Sequence, residues 1–361
     1  VDAPNPTEHC IISSAFSLDE FAALAIGDRR PYFETAADRL NTLATIVEKD
    51  FWVVWTLKHL YELSDAPRFI FKGGTSLSKA FGIIERFSED IDLIIDRAYF
   101  GYAGVDDIGA APTPSAARKR IESLDEVMAG YIRATLLPAL EKRFKDVLGE
   151  VFRFEIDPSR AQTIRFYYPT ELSHPYIQPM VVVEAGGNAD GWPTVNRTIK
   201  PYVAEQIPRA FVSPDVSVCT IDAPRTFIEK LTILHKTAHR FDRQPDWEPA
   251  GRYSRHYYDV YQLSRAGIMT AALAHSGLIE AVRIAAQTFF ADNKAKYDEF
   301  APGSIRLIPS ERGIAALRRD YEAMRDMIFG AYPRFDEIVE ELCRIDRVVN
   351  APGTAGLASS E

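Results

Sequence analysis

Phe71-Lys72-Gly73-Gly74-Thr75-Ser76-Leu77-Ser78-Lys79-Ala80-Phe81-Gly82, followed closely by Arg86-Phe87-Ser88-Glu89-Asp90-Ile91-Asp92-Leu93, decides how this chain is read. Arg68 to Lys72 has the apolar content of a short strand, the glycine pair breaks it, and Thr75 to Arg86 has helical character. Ile91 to Ile95 returns to strand. Glycines lack a Cβ, so the backbone N–H groups at Gly73 and Gly74 can approach phosphate oxygens closely, and a helix start adds a favourable dipole. Thr75 and Ser76 add hydroxyls at the same place. Alternation along a strand puts Asp90 and Asp92 on one face and Ile91 and Leu93 on the other. Two adjacent carboxylates repel unless a cation lies between them. Mg²⁺ (or Mn²⁺) suits such oxygen ligands and keeps positions for phosphate oxygens and water.

Outward from this block, Ala37 to Leu63 reads as a helix, with Leu40, Leu43, Val47, Trp52 and Trp55 at roughly helical spacing, ended by Ser64-Asp65-Ala66-Pro67. Tyr99 to Pro114 reads as loop, and Ser115 to Asp146 as largely helical with a break at Pro138. Strand-like runs follow at Val151–Ile156, Gln162–Tyr168, Pro179–Glu184 and Val216–Ile221, with a turn-rich connection over Gly186–Pro201. Helices are expected at Thr226–Arg240, Tyr253–Ser264, Ala271–Phe290, Gly313–Phe329 and Phe335–Val348. The fold class is therefore α/β (α+β): a mixed sheet with flanking helices, then a C-terminal helical lobe. The divisions expected are 1–222, 223–349, and a small, polar, disordered tail over 350–361.

The 361 residues are 47% hydrophobic, enough for a full core. Cys10, Cys219 and Cys343 are far apart and odd in number, so neither a disulfide framework nor a C-x-x-C zinc site is suggested, and reduced thiols in a cytoplasm are expected. No apolar run is long enough to span a bilayer, and no secretory signal pattern opens the chain. The net charge of −9 argues against coating nucleic acid by global positive charge. It leaves room for a local basic groove between Arg225 and His256, where Lys230, His235, Lys236, His239, Arg240, Arg243, Arg252 and Arg255 outnumber the acids; a solvated helix surface has the same composition.

The Phe71–Gly82 and Arg86–Leu93 blocks resemble the AbiEii/AbiGii nucleotidyltransferase toxin family, part of the DNA polymerase β-like superfamily, found in bacterial toxin–antitoxin and phage-defence systems. The similarity extends to Val47-Glu48-Lys49-Asp50-Phe51-Trp52, Arg225-Thr226-Phe227-Ile228-Glu229-Lys230-Leu231 and Arg255-His256-Tyr257-Tyr258-Asp259-Val260-Tyr261. The resemblance implies that Gly73, Gly74, Thr75 and Ser76 hold a nucleoside triphosphate (NTP) while Asp90 and Asp92 bind Mg²⁺ or Mn²⁺. Ser88 matches the serine before the carboxylate pair and braces the nucleotide or the strand.

The superfamily usually adds a third carboxylate, for which Glu184 is the candidate; an exposed acid at a strand end is the plainer reading. Lys230 matches a lysine that contacts phosphate or developing charge, against which stands a surface lysine. Asp259 matches an acid that orients Lys230 or the acceptor, or forms an ion pair with Arg255 one turn away. Lys79 and Arg86 either face phosphate or solubilise their helix. The implied activity is transfer of a nucleoside monophosphate to an acceptor, the 3′ end of tRNA foremost, with a cognate antitoxin as partner. Transfer to a small molecule or a protein, and an inert nucleotide-sensing module, are the rival readings.

Overall fold

The computed structural model describes residues 15–64, 66–175, 177–290, 292 and 294–351. Ser17 and Glu20 form a reciprocal cap that starts α1 (Leu18–Ala23). α2 (Ile26–Leu40) follows and stops at Asn41, which takes a left-handed conformation at φ 51°. α3 (Ala44–Tyr61) begins only after an extended Leu43. The single helix expected from Ala37 is thus two helices meeting at a left-handed asparagine. Nearly every residue of α3 from Ile46 to Leu60 is buried, charged ones included, which is why its apolar pattern runs all round.

β1 (Phe69–Lys72) leads straight into α4 (Gly73–Lys79). The helix expected to reach Arg86 ends early, because Gly82 turns at φ 61° and the Ile83 N–H returns to the Leu77 carbonyl. The segment beyond it is extended and pairs with the C-terminal lobe: Arg86 bridges Ile328, and the Phe87 N–H donates to the Met327 carbonyl at 2.7 Å. β2 (Asp90–Ile95) is next. α5 (Pro114–Tyr131) and α6 (Leu137–Leu148) are joined through a π-helical turn at Ile132–Leu136. Pro138 therefore sits just after the π-helical turn, and the break expected there takes the form of that turn within a continuous helix.

β3 (Arg153–Ile156), β4 (Thr163–Tyr167), β5 (Met180–Gly186), β6 (Thr194–Ile199) and β7 (Val216–Ile221) complete the sheet, with α7 (Tyr202–Gln206) before β7. β6 lies inside the stretch read as a connection and forms the sheet edge beside β7. The seven strands run β3-β4-β5-β2-β1-β7-β6, mixed parallel and antiparallel. α8 (Ala223–Arg243), α9 (Arg255–Arg265), α10 (Ile268–Ala274), α11 (Leu278–Phe289), α12 (Glu311–Ala323) and α13 (Phe335–Val349) build the helical lobe. α10 and α11 replace one expected helix, since Gly277 is left-handed at φ 75° and the pair bends by 88°. α12 likewise stops at Ala323, short of Phe329.

Strand alternation sorts the central sheet. Phe71, Ile91, Leu93, Val183 and Ala185 enter one core with Trp52, Trp55 and the α5–α6 side chains. Their neighbours point to the opposite face. A second core fills the helical lobe and takes in Leu77 and Ile84, so α4 is clamped between sheet and lobe. Of the cysteines, Cys219 and Cys343 are free thiols; Cys10 lies outside the described residues, as does the expected tail from residue 352 on. Among the described residues no single helix is long and apolar enough to cross a membrane.

Candidate active site

On the free face of the sheet, strand register makes a row. Lys72 pairs with Asp92 across β1 and β2, Asp92 with Glu184 across β2 and β5, and Glu184 with Thr163 across β5 and β4. Directly paired residues share a face, so Glu184 stands beside Asp92. Its Oε1 accepts from Arg160 at 2.8 Å. Asp90 lies two residues back along β2, at the more open end of the same face.

Enclosure and like charge burden this row. The carboxyl of Asp90 is pushed up to about 6, first by desolvation and then by the charges of Glu89 and Asp92. Burial also raises Asp92, with Glu184 adding to the effect and Lys72 opposing it. Among the described residues no three His, Cys, Asp or Glu side chains close around one point. An open pair of carboxylates is nonetheless how Mg²⁺ is usually held, since it keeps several waters and takes substrate phosphates as further ligands. The donor set and its mutual repulsion fit such a cation at Asp90 and Asp92.

The glycine turn is shaped by contact. Gly73 has φ 82°, and a Cβ there would overlap the Asp92 carboxylate. At Gly74 a Cβ would lie 2.7 Å from both Arg86 Nη2 and Ser88 Oγ. Any side chain at either position would displace the acid row or the segment behind it. Thr75 and Ser76 are 1% and 0% exposed. The Thr75 hydroxyl donates to Ser88 Oγ at 3.0 Å and the Ser76 hydroxyl to the Gly73 carbonyl at 3.0 Å. One hydroxyl proton goes to Ser88 and the other to the turn itself, whereas Gly73, Gly74 and Ser88 line the cavity.

Across that cavity, about 460 Å³ in volume, the helical lobe supplies cations: Lys230 from α8, Arg252, and Arg255 from α9. Behind them Asp259 is completely buried. Arg86 grips it with two bonds, Nε to Oδ1 at 2.7 Å and Nη2 to Oδ2 at 2.8 Å, and Lys230 Nζ lies 2.8 Å from Oδ2. Burial favours the protonated acid, but Arg86 and Lys230 outweigh it and hold Asp259 well below the usual range. Asp259 therefore pairs with both Lys230 and Arg86, where an ion pair with Arg255 was the alternative; Arg255 donates to the Arg252 carbonyl at 2.9 Å.

Neither expected role holds for Lys79, which is buried against Asp50 at 2.9 Å and over the Tyr202 ring. The basic run from Arg225 to His256 also fails to form one groove. His235 is buried between the Lys296 carbonyl and the Arg306 N–H, Lys236 pairs with Asp292, and Arg240 covers Trp247. Sequence reasoning missed two groups that do reach the cavity. Thr226 is 4% exposed, and among the described residues its hydroxyl has no hydrogen-bond partner. His256 also lines the wall, its Nδ1 without a partner among the described residues; burial, Lys230 and Arg255 push its proton affinity well down, leaving a neutral ring. Thr226 lies four residues before Lys230 on the same helix, so shared helical face was the signal that could have found it.

A carboxylate row on a central strand, a glycine turn packed against it and cations converging from a helical lobe define a nucleotidyltransferase class of site. A family model described as nucleotidyl transferase AbiEii toxin, type IV toxin–antitoxin system, matches residues 55–341. The chain belongs to that family. Among solved structures it is similar to MenT4, a nucleotidyltransferase toxin from Mycobacterium tuberculosis H37Rv, at 15% identity and a TM-score of 0.36, covering 88% of this chain and 99% of that one. No curated protein sequence matches the chain significantly.

Proposed function

We propose that this chain transfers a nucleoside monophosphate from a ribonucleoside triphosphate to the 3′ end of an RNA, tRNA foremost, releasing pyrophosphate. The observation that carries the reading is the pairing of Asp90, Asp92 and Glu184 on the sheet with Lys230, Arg252 and Arg255 across one cavity. Acids alone would repel a triphosphate, and cations alone would bind it without activating it.

In this reading the backbone at Gly73 and Gly74, with Ser88, receives the terminal phosphates. Thr75 and Ser76 act by holding the turn. Lys230, Arg252 and Arg255 neutralise charge that builds on the departing pyrophosphate. Asp259 is a positioning residue, since it touches only Arg86 and Lys230 among the site's cations. A divalent cation at Asp90 and Asp92, with Glu184 as a third ligand, would polarise the α-phosphate and lower the cost of attack. The acceptor hydroxyl oxygen bonds to the α-phosphorus, the bond from that phosphorus to the bridging oxygen breaks, and the hydroxyl proton passes to a carboxylate of the row or to water. Residues 1–222 supply the acids and the turn, 223–349 the cations, and a cognate antitoxin restrains the product in the cell.

The test is incubation with each labelled triphosphate and total RNA, with Mg²⁺, Mn²⁺ or chelator. Label should enter RNA of tRNA size at its 3′ end, only with a divalent cation, and should vanish in Asp92→Ala. Label confined to protein or a small molecule would overturn the RNA acceptor; no label from any triphosphate would leave a binding module.

A further inference from the structure

Two arginines on the cavity wall, Arg252 and Arg255, are held by a carboxylate that is not on that wall. Arg252 precedes α9 with φ 66°, a left-handed conformation that a non-glycine residue keeps only where its surroundings enforce it. Gly251, which would take that conformation without cost, stands one position earlier. Among the described residues α9 has no side-chain cap of its own, because Ser254 turns its hydroxyl to Met324. Asp320, on α12, serves both the turn and the helix start. Its Oδ1 accepts from the Arg252 N–H at 2.7 Å and its Oδ2 from the Ser254 N–H at 2.6 Å. The turn hands this position on to the cations. The Arg252 carbonyl accepts from Arg255 Nη1 at 2.9 Å, and Arg252 Nη1 comes to 3.6 Å from Oε1 of Glu89, the neighbour of Asp90.

We infer that Asp320 is a positioning residue for the triphosphate: it fixes the turn that aims Arg252 and Arg255 at the pyrophosphate portion. The inference rests on the nucleotidyltransferase reading above. The Arg252 side chain is 45% exposed, so packing alone does not immobilise it, and the backbone from which it springs sets where it points. Without Asp320 the left-handed turn loses the bonds that offset its cost, and both guanidinium groups sample a wider range. Binding a triphosphate must then bear the cost of ordering them. A carboxylate suits this place better than an amide, because two N–H donors face it and an amide has one accepting oxygen. Among the described residues the hydrogen bonds of Asp320 run to this turn alone, so the acid row on the sheet stays outside its reach.

The experiment uses the full chain without acceptor RNA, titrated by calorimetry in Mn²⁺ with each ribonucleoside triphosphate and its matching monophosphate. Wild type should bind its preferred triphosphate more tightly than the monophosphate, since only the triphosphate reaches the cations. Asp320→Ala should cut that advantage by about tenfold, the scale of one lost hydrogen bond to a charged group. Monophosphate affinity and the rise in Tm on adding Mn²⁺ should stay as in wild type. Asp320→Asn, which keeps one accepting oxygen, should fall between, and it carries the test if Asp320→Ala does not fold. In an Arg252→Ala/Arg255→Ala background, removing Asp320 should add nothing to the loss. A folded Asp320 variant that retains the full triphosphate advantage overturns the inference. So does equal weakening of monophosphate and triphosphate, or a further loss in the arginine-free background, either of which would make Asp320 merely structural. If wild type itself binds no triphosphate in preference to its monophosphate, the nucleotidyltransferase reading has failed and this inference falls with it.

Discussion

One cavity has acid on either side: Asp90 and Asp92 line it from the sheet, and Asp259 lies buried behind the cations of the helical lobe. On the sheet, Asp90 and Asp92 both hold their protons more tightly than usual, through desolvation and through their acidic neighbours. On the helical lobe, Asp259 is buried more deeply yet stays ionised, because Arg86 and Lys230 outweigh the cost of burial. The chain thus neutralises one carboxylate with its own cations and leaves the other group short. That contrast, beside the glycine turn, is why the proposed divalent cation is placed at Asp90 and Asp92. On the self-neutralised side Asp259 pairs with Lys230 and Arg86; on the other side the proposed chemistry takes place.

The sharpest way to break this contrast is Asp92→Ala. Turnover should fall by more than about a hundredfold, beyond the loss of an outer-shell partner of a metal. The metal-free variant should melt no lower than wild type, since a repelling charge is gone, and Mn²⁺ should raise the melting temperature of wild type alone. A variant that still gains stability from Mn²⁺ would relocate the cation.

Asp259→Ala tests the other side. It strands the fully buried Arg86, so urea unfolding should show a loss of about 3–5 kcal/mol. Lys230→Ala leaves the two-bonded Arg86–Asp259 pair intact; it should raise the triphosphate KM with a clearly smaller stability loss. Equal destabilisation in both would remove the distinction between a positioning acid and a substrate-facing lysine.

The pH response should carry opposite signs on the two sides. Asp90, at about 6 in the folded chain, lies above the roughly 3.9 of an unfolded aspartate. Its contribution to stability is therefore fully present below about pH 4 and is lost as pH rises through its folded value. Glu48, pushed up to about 7 by burial despite Thr170 and Arg29, acts in the same direction. Metal-free protein should thus melt lower at about pH 7.5 than at about pH 5.5, and Asp90→Asn should flatten part of that slope. Asp259, held low, instead loses its contribution only as pH falls through its depressed folded value, so Asp259→Asn should leave this window unchanged.

The smallest expected effect is that of Ser76→Ala. Its hydroxyl bonds only the Gly73 carbonyl, so stability should drop by about 1 kcal/mol with the triphosphate KM near wild type. A large rise in that KM would return Ser76 to the phosphates.

Much of the front half was legible because its signals are local. Strand, glycine pair, helix and Asp-x-Asp follow one another within a short stretch, and β-alternation places Asp90 and Asp92 on one face without any knowledge of the rest. The breaks at Asn41, Gly82 and Gly277 were harder to read, because one left-handed residue ends a helix whose apolar pattern runs on past it. What sequence by itself determined was the turn, the carboxylate pair and the order of an α/β half before a helical one. Only the tertiary structure decided that Glu184 stands in register with Asp92, that Arg86 leaves its helix to grip Asp259, and that the basic run of α8 and α9 spends most of its charge on structural partners. These are contacts between residues far apart in the chain, set by strand order and by how the lobe docks on the sheet, and no local periodicity encodes them.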